Sequence, residues 1–264
     1  MDTSCALMGT ERDLQTSEDA VLGGRLRLRQ PLSGHRVGHD AILLAAATGG
    51  RAGEHVVDLG AGVGGAGLAL AARVKGLKVT LVEIDPALCK LAADNARRNR
   101  LDEWVGTVAC NAEDVDALTT AGLAEGSVDR VLMNPPFHDG SRQNVSPDPL
   151  RRLAQTTAPG LLPRWVKSAT CLLKPQGVLT LIWRADALAH VQDALAGAFG
   201  GIAVLPVLPR AEAPAIRVLV RAVKSGSDAP ITYPALVLND AQNKPTAAAE
   251  AVLRRGETLM ITEW

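Results

Sequence analysis

Asn134-Pro135-Pro136-Phe137 is the stretch of this 264-residue chain with the most chemistry in it. It follows Val128-Asp129-Arg130-Val131-Leu132-Met133, a mostly apolar run that predicts a buried strand. Two consecutive prolines fix φ twice and remove two N–H donors, which leaves the neighbouring carbonyls free to accept. Asn134 adds a side-chain carbonyl and Phe137 a flat ring. This combination suits an amino group conjugated to a π system, as on a nucleobase or a glutamine amide. Such a nitrogen is a poor nucleophile because its lone pair is delocalised. If Asn134 Oδ1 and the Pro135 carbonyl each accept one N–H, the nitrogen can become tetrahedral and aim its electron density at an electrophile. That catalysis is positioning and transition-state hydrogen bonding, with no metal or covalent intermediate. Phe137 would stack on the planar target, a contact worth about 1–3 kcal/mol. A rigid turn with Asn134 as turn former is the bland reading of the same residues.

A second constellation lies upstream. Asp58-Leu59-Gly60-Ala61-Gly62-Val63-Gly64-Gly65 stands where a predicted strand, His55–Leu59, meets an Ala/Leu-rich helix. Glycines there allow a tight turn and the close approach of a ligand to backbone N–H groups at a helix N-terminus. Glu83 lies 21 residues past Gly62, at the end of the next predicted strand, where a carboxylate can accept both hydroxyls of a ribose. Gly60, Gly62 and Gly65 also fit the spacing of nicotinamide-cofactor turns. Hydride transfer, however, needs a matched proton donor. The single tyrosine, Tyr233, is far along the chain with no lysine at helical spacing. No Gly-Lys-Ser/Thr follows the glycines, which argues against a nucleotide phosphatase or kinase.

Bulk properties bound the rest. The chain has 28 basic and 28 acidic residues, so any polyanion must be met by a local basic face. Arg25, Arg27 and Arg29 near the start, with Arg142, Arg151, Arg152, Arg164 and Lys167 after the Asn-Pro-Pro turn, are the candidates. Cys5, Cys89, Cys110 and Cys171 stand singly, which speaks against disulfides and metal centres and for the cytoplasm. The apolar runs are too short for a membrane span. A secretion signal is not expected at the N-terminus.

The elements expected to position these groups alternate. Residues 1–20 read as a flexible tail, and 21–264 as a single domain with a core of about 38–223 and an addition of about 224–264. Arg25–Arg29 alternates with period two and predicts a half-exposed strand. Asp40 is expected to cap a short helix over Ala41–Ala47. Strands at Lys78–Val82, Val105–Ala109, Val128–Met133 and Gly177–Trp183 interleave with helices, one of them beginning at Pro86 and another capped by Asp186. Strands near 202–206 and 216–223 close the core. This β-α alternation predicts a doubly wound, mostly parallel sheet with helices on both faces.

At this point the motifs resemble a family. Asp-Leu-Gly-Ala-Gly (58–62), Val-Glu-Ile-Asp (82–85) and Asn-Pro-Pro-Phe (134–137) look like motifs I, post-I and IV of the small-domain group of class I methyltransferases. The likeness extends to bacterial valine-tRNA N6-adenine methyltransferases through Gly38-His39-Asp40-Ala41-Ile42-Leu43-Leu44 and Arg217-Val218-Leu219. It implies a seven-stranded Rossmann-like sheet with a short N-terminal extension and a C-terminal strand-helix addition, and S-adenosylmethionine as cofactor. It places Asp58, Gly60, Ala61, Gly62, Gly64, Glu83, Ile84 and Asn134 at that cofactor. Asp114 joins them at the adenine, with Asn111 as a competing register. Asn134, Pro135 and Phe137 become catalytic, and Asp40, Pro136, His138 and Arg142 face the substrate. The family's usual Tyr is Phe137 here, and Phe137-His138-Asp139-Gly140 also resembles guanine-N2 methyltransferases of ribosomal RNA. Expected functions are therefore methylation of adenine N6 in RNA, foremost tRNA, then guanine N2 in ribosomal RNA, then a protein glutamine amide.

Overall fold

The computed structural model describes residues 14–34, 36–136 and 160–262. The chain enters through a hairpin. β1 (Thr16–Val21) pairs antiparallel with β2 (Leu26–Pro31), Thr16 opposite Pro31 and Val21 opposite Leu26. Residues 16–20, expected to belong to a flexible tail, are therefore strand. Thr16–Val21 is too polar to announce itself as a strand, but β2 offers it an edge. On β2 the alternation holds: Leu26 and Leu28 are fully buried while Arg25, Arg27 and Arg29 are exposed.

α1 (His39–Ala47) follows, then β3 (His55–Leu59), α2 (Gly65–Arg73), β4 (Lys78–Glu83), α3 (Pro86–Arg98), β5 (Val105–Ala109), α4 (Val115–Thr120) and β6 (Val128–Met133). Beyond the undescribed stretch come α5 (Leu161–Leu172), β7 (Leu173–Arg184), α6 (Leu188–Leu195), β8 (Phe199–Leu208) and β9 (Arg217–Lys224). The short β10 (Ile231–Thr232) and β11 (Leu236–Val237) and the helix α7 (Ala247–Leu253) end the order.

The main sheet runs β10-β8-β9-β7-β6-β3-β4-β5, with β11 also on β8. Pairs from β5 across to β7 are parallel, and β9 is antiparallel to both β7 and β8. Seven strands form the expected core. The C-terminal addition contributes two more, parallel to β8, where one strand was anticipated.

Period-two alternation splits the core across the sheet. Val56 packs with α1, α2 and the buried faces of β4, whereas Val57 and Leu59 pack with α5 and α6. Asp58 therefore shares the face of Val56 and points toward α2.

Two caps differ from expectation. Gly38, not Asp40, is the N-cap of α1, and Asp40 sits in its first turn, bonded to Arg217 at 2.9 Å. Asp186 lies in a short 3-10 turn and pairs with Arg184, while Ala187 is the N-cap of α6. In both places an arginine nearby gives the carboxylate a charged partner, which outweighs capping a neutral N–H. Asp85 behaves as a cap should: its carboxylate accepts from Ala87 N at 2.8 Å, with Pro86 in the first turn of α3.

Candidate active site

The first and fourth strands of the parallel core, β3 and β6, are neighbours, and their carboxyl ends lie side by side, Leu59 opposite Met133. Open parallel sheets bind ligands beyond such ends, where the strand order reverses. The glycine turn leaves β3 here and the Asn-Pro-Pro turn leaves β6.

The glycine turn is built of left-handed backbone. Gly60, Gly62 and Gly64 have φ of 70°, 57° and 89°. Gly60 is also fixed by contact: a Cβ there would fall 2.3 Å from the indole of Trp165 on α5. Ala61 N–H donates to the Val82 carbonyl at 2.9 Å, which ties the turn to β4. From the other side Asn95, fully buried on α3, donates to the Val63 carbonyl at 3.0 Å and also bonds both backbone groups of Arg29 on β2.

Two carboxylates converge beneath this turn. Glu83 ends β4 nearly buried; one oxygen accepts from Gly62 N at 2.8 Å and the other from Asp85 N at 2.9 Å. Burial raises its pKa above the ordinary glutamate range, and the N–H donors oppose the shift. The Ile84 N–H also acts on this carboxylate, and the lone-pair capacity these donors leave can take an incoming hydroxyl. Asp58 is wholly buried and accepts from Gly67 N at 2.8 Å, at the start of α2. Burial pushes its pKa to about 7, the Gly67 N–H pulls it down and the Glu83 charge adds to the rise. Asp58 thus holds α2 against β3. Ile84, next to Glu83, leaves 51% of its surface exposed, an apolar face at the rim.

Asn134 follows β6 directly. Its Oδ1 is buried and has no hydrogen-bond partner among the described residues. Pro135 is buried and Pro136 half-buried beside it. Asp114 is the N-cap of α4, accepting from Ala117 N at 2.9 Å, and Asn111 Oδ1 accepts from Glu113 N at 3.0 Å. Both stand on the turn after β5, so the two registers remain alternatives. Phe137, His138, Arg142, Arg151 and Arg152 lie outside the described residues. Among the described residues no group of His, Cys, Asp and Glu is placed to hold a metal ion, and no helix is long and apolar enough to cross a membrane.

The sequence reading missed two contributors and the partner of a third residue. Trp165 was part of an apolar helix face, and nothing in its spacing marks it as the wall behind Gly60. Asn95 was one polar residue in an amphipathic helix. Arg164, a candidate phosphate contact, pairs with Glu113 and joins α5 to the turn after β5.

This chain is similar to several known proteins. The protein named tRNA1(Val) (adenine(37)-N6)-methyltransferase of Porphyromonas gingivalis is 32% identical over 157 residues, 58% of this chain. The match spans 60% of that relative's length. The protein of the same name from Shewanella amazonensis is 28% identical over 84% of this chain and 91% of its own. A Hahella chejuensis protein named ribosomal RNA small subunit methyltransferase C is 29% identical over 49% of this chain and 31% of its own. In fold, the chain is similar to a crystal structure of a predicted O-methyltransferase from Agrobacterium tumefaciens: TM-score 0.70, 24% identity, 83% of this chain and 98% of that one. The family described as methyltransferase small domain matches residues 33–207, which take in the glycine turn, Glu83 and the Asn-Pro-Pro turn, and this chain belongs to that family.

Proposed function

We propose that this chain transfers a methyl group from S-adenosylmethionine to N6 of an adenine in tRNA. Asn134 carries the reading. A buried acceptor without a partner costs about 1–3 kcal/mol, so one held at the switch point of the sheet is a place for a ligand's donor. The described residues suit the cofactor: Glu83 has free lone pairs for the ribose hydroxyls, the left-handed glycine turn admits close approach, and Ile84 offers an apolar face for the adenine. Either Asp114 or Asn111 would take the adenine amino group. When bound, S-adenosylmethionine supplies an electrophilic methyl group on its sulfonium.

The chain's own part is to make the substrate nitrogen a nucleophile. Asn134 Oδ1 and the Pro135 carbonyl accept its two N–H bonds, which favours tetrahedral geometry over conjugation, and Phe137 would stack on the base. No general base is required, because the amine sheds its proton to water after transfer. His138 and Arg142 would touch the RNA. The relatives named as tRNA adenine methyltransferases favour adenine N6. The relative named for ribosomal RNA keeps guanine N2 as the second reading. A tRNA substrate places the enzyme in the cytoplasm.

Single-turnover transfer of labelled methyl from S-adenosylmethionine to bulk RNA from a strain lacking this chain tests the assignment. Digestion should yield labelled N6-methyladenosine from the tRNA fraction. N2-methylguanosine from ribosomal RNA would support the second reading, and label in protein alone would point to a glutamine amide. No transfer from a chain that binds the cofactor would defeat all three.

A further inference from the structure

The hairpin and the far end of α3 bring basic side chains together well away from the Asn-Pro-Pro turn. Arg25, Arg27 and Arg29 stand on the outer face of β2, all exposed. The side chain of Asn99 bonds both backbone groups of Arg27, donating to its carbonyl at 2.8 Å and accepting from its N–H at 2.9 Å. Arg98, exposed, shares Glu18 with Arg27, and Arg100, also exposed, follows Asn99 directly in the chain. Arg25 reaches the C-terminal addition, donating to the Arg255 carbonyl at 2.7 Å.

The local acids do not cancel this charge. Glu18 is shared by Arg27 and Arg98, so one carboxylate serves two guanidiniums. Arg29 bonds the Thr16 hydroxyl at 2.9 Å and Arg25 a carbonyl, both neutral partners. Glu257 answers Arg255 alone. Asp102 and Glu103, exposed on the turn beyond Arg100, bound the patch on that side. In a chain with equal numbers of acidic and basic residues this is a local surplus.

The platform is stiff. Asn95 and Asn99 stitch the backbone of β2 to α3, and Leu26 and Leu28 anchor its inner face in the core. Alternate residues of a strand repeat about every 6.8 Å, close to the spacing of successive phosphates along a nucleic-acid strand. α3 begins three residues after Glu83, and at 1.5 Å per residue Arg98 lies about 18 Å down its axis. A ligand touching both the reaction centre and this patch must be long and polyanionic. Arginines on a rigid strand can grip its phosphates without reading bases.

We propose that the outer face of β2, the C-terminal end of α3 and the Arg255 corner form a docking surface for the sugar-phosphate backbone of structured RNA. The proposal rests on the RNA reading above and adds to it a surface remote from the reacting base.

The test compares the parent with a triple variant, Arg25→Gln, Arg29→Gln and Arg100→Gln, using tRNA from a strain lacking this chain. S-adenosylmethionine affinity and the urea midpoint serve as controls and should stay at the parent's values. At low salt the variant should bind tRNA about 10- to 100-fold more weakly, and the salt dependence of log K should flatten by about 2–3. KM for tRNA should rise while kcat at saturation holds, because the patch is far from the reacting atoms. The charge-keeping variant Arg25→Lys, Arg29→Lys should retain the parent's salt slope. Equal affinity and equal slope in parent and triple variant would overturn the docking surface and leave the proposed function standing. A parent that binds no RNA would overturn both. Loss of binding to anionic vesicles, with tRNA binding untouched, would reassign the patch and overturn the proposal.

Discussion

Glu83 and Asn134 separate the two halves of the site. Glu83 lies between the Gly62 and Asp85 N–H groups at the end of β4, with lone pairs to spare for hydroxyls. Losing charge-assisted hydrogen bonds of about 1.5–3 kcal/mol should weaken S-adenosylmethionine binding roughly 10- to 100-fold in Glu83→Ala. Calorimetry on the folded variant measures this, and unchanged affinity would remove Glu83 from the site. Asn134→Ala should slow single-turnover methyl transfer roughly 100- to 1000-fold, far more than it weakens cofactor binding, if a lost transition-state acceptor here resembles a lost oxyanion-hole donor. Full activity in Asn134→Ala would end the mechanism. Asp58 also bears on stability. Its carboxyl titrates near 7 in the folded chain against 3.8 for the ordinary side chain, so the folded state holds the proton that the unfolded state releases. Stability should therefore fall as pH rises from about 4 to about 7 and then level off, by roughly 4 kcal/mol at most. Asp58→Asn cannot ionise and should lose that part of the slope. Urea midpoints at pH 5 and pH 8, without cofactor, read the difference; parallel pH profiles would show that Asp58 is ionised in the fold.

At the scale of elements, α3 does more than separate β4 from β5. Its Asp85 cap starts it beside Glu83, and Asn95 joins it to both the glycine turn and β2. Asn95→Ala would leave the Val63 carbonyl and both backbone groups of Arg29 without their partner. Unmade buried hydrogen bonds cost about 1–3 kcal/mol each, so a loss of roughly 2–4 kcal/mol is expected after partial relaxation. The more exposed Asn99→Ala should cost less than half of that. Thermal unfolding of the two variants checks the ranking, and equal losses would mean that burial does not set the cost. Asn95→Ala should also weaken cofactor binding, because Val63 belongs to the turn that Asn95 holds.

For the whole molecule the open point is whether the last forty residues are an appendage. Leu236, Val252, Leu259 and Ile261 are all buried and join the cluster that contains α1 and α2. Burying side chains of this size is worth about 1.5–3 kcal/mol each, so four account for roughly 6–12 kcal/mol, as much as the net stability of a typical domain. We therefore expect a chain ending after Lys224 to be insoluble or unfolded, judged by circular dichroism and by expression in the soluble fraction. A cooperative, cofactor-binding truncated chain would show that the core closes without the addition.

The β-α alternation, the glycine turn, the acid at the end of β4 and the Asn-Pro-Pro turn after β6 were legible from sequence because each depends on local constraints. Period-two burial, left-handed backbone and fixed proline φ angles all act within a few residues. Gly60 illustrates the boundary. Its need for positive φ is a property of the turn, but the indole packed against it comes from Trp165, 105 residues away in the chain. The strand at Thr16–Val21, the partners of Asp40 and Asp186, and the triple role of Asn95 were decided in the same way. A polar side chain can cap, pair or cross-link with similar gain, and only the folded neighbourhood determines which donor or charge is within reach. The basic patch was half visible, in the alternation of Arg25, Arg27 and Arg29. Arg98, Arg100 and Arg255 joined it only when tertiary packing laid β2 along α3 and against the C-terminal addition.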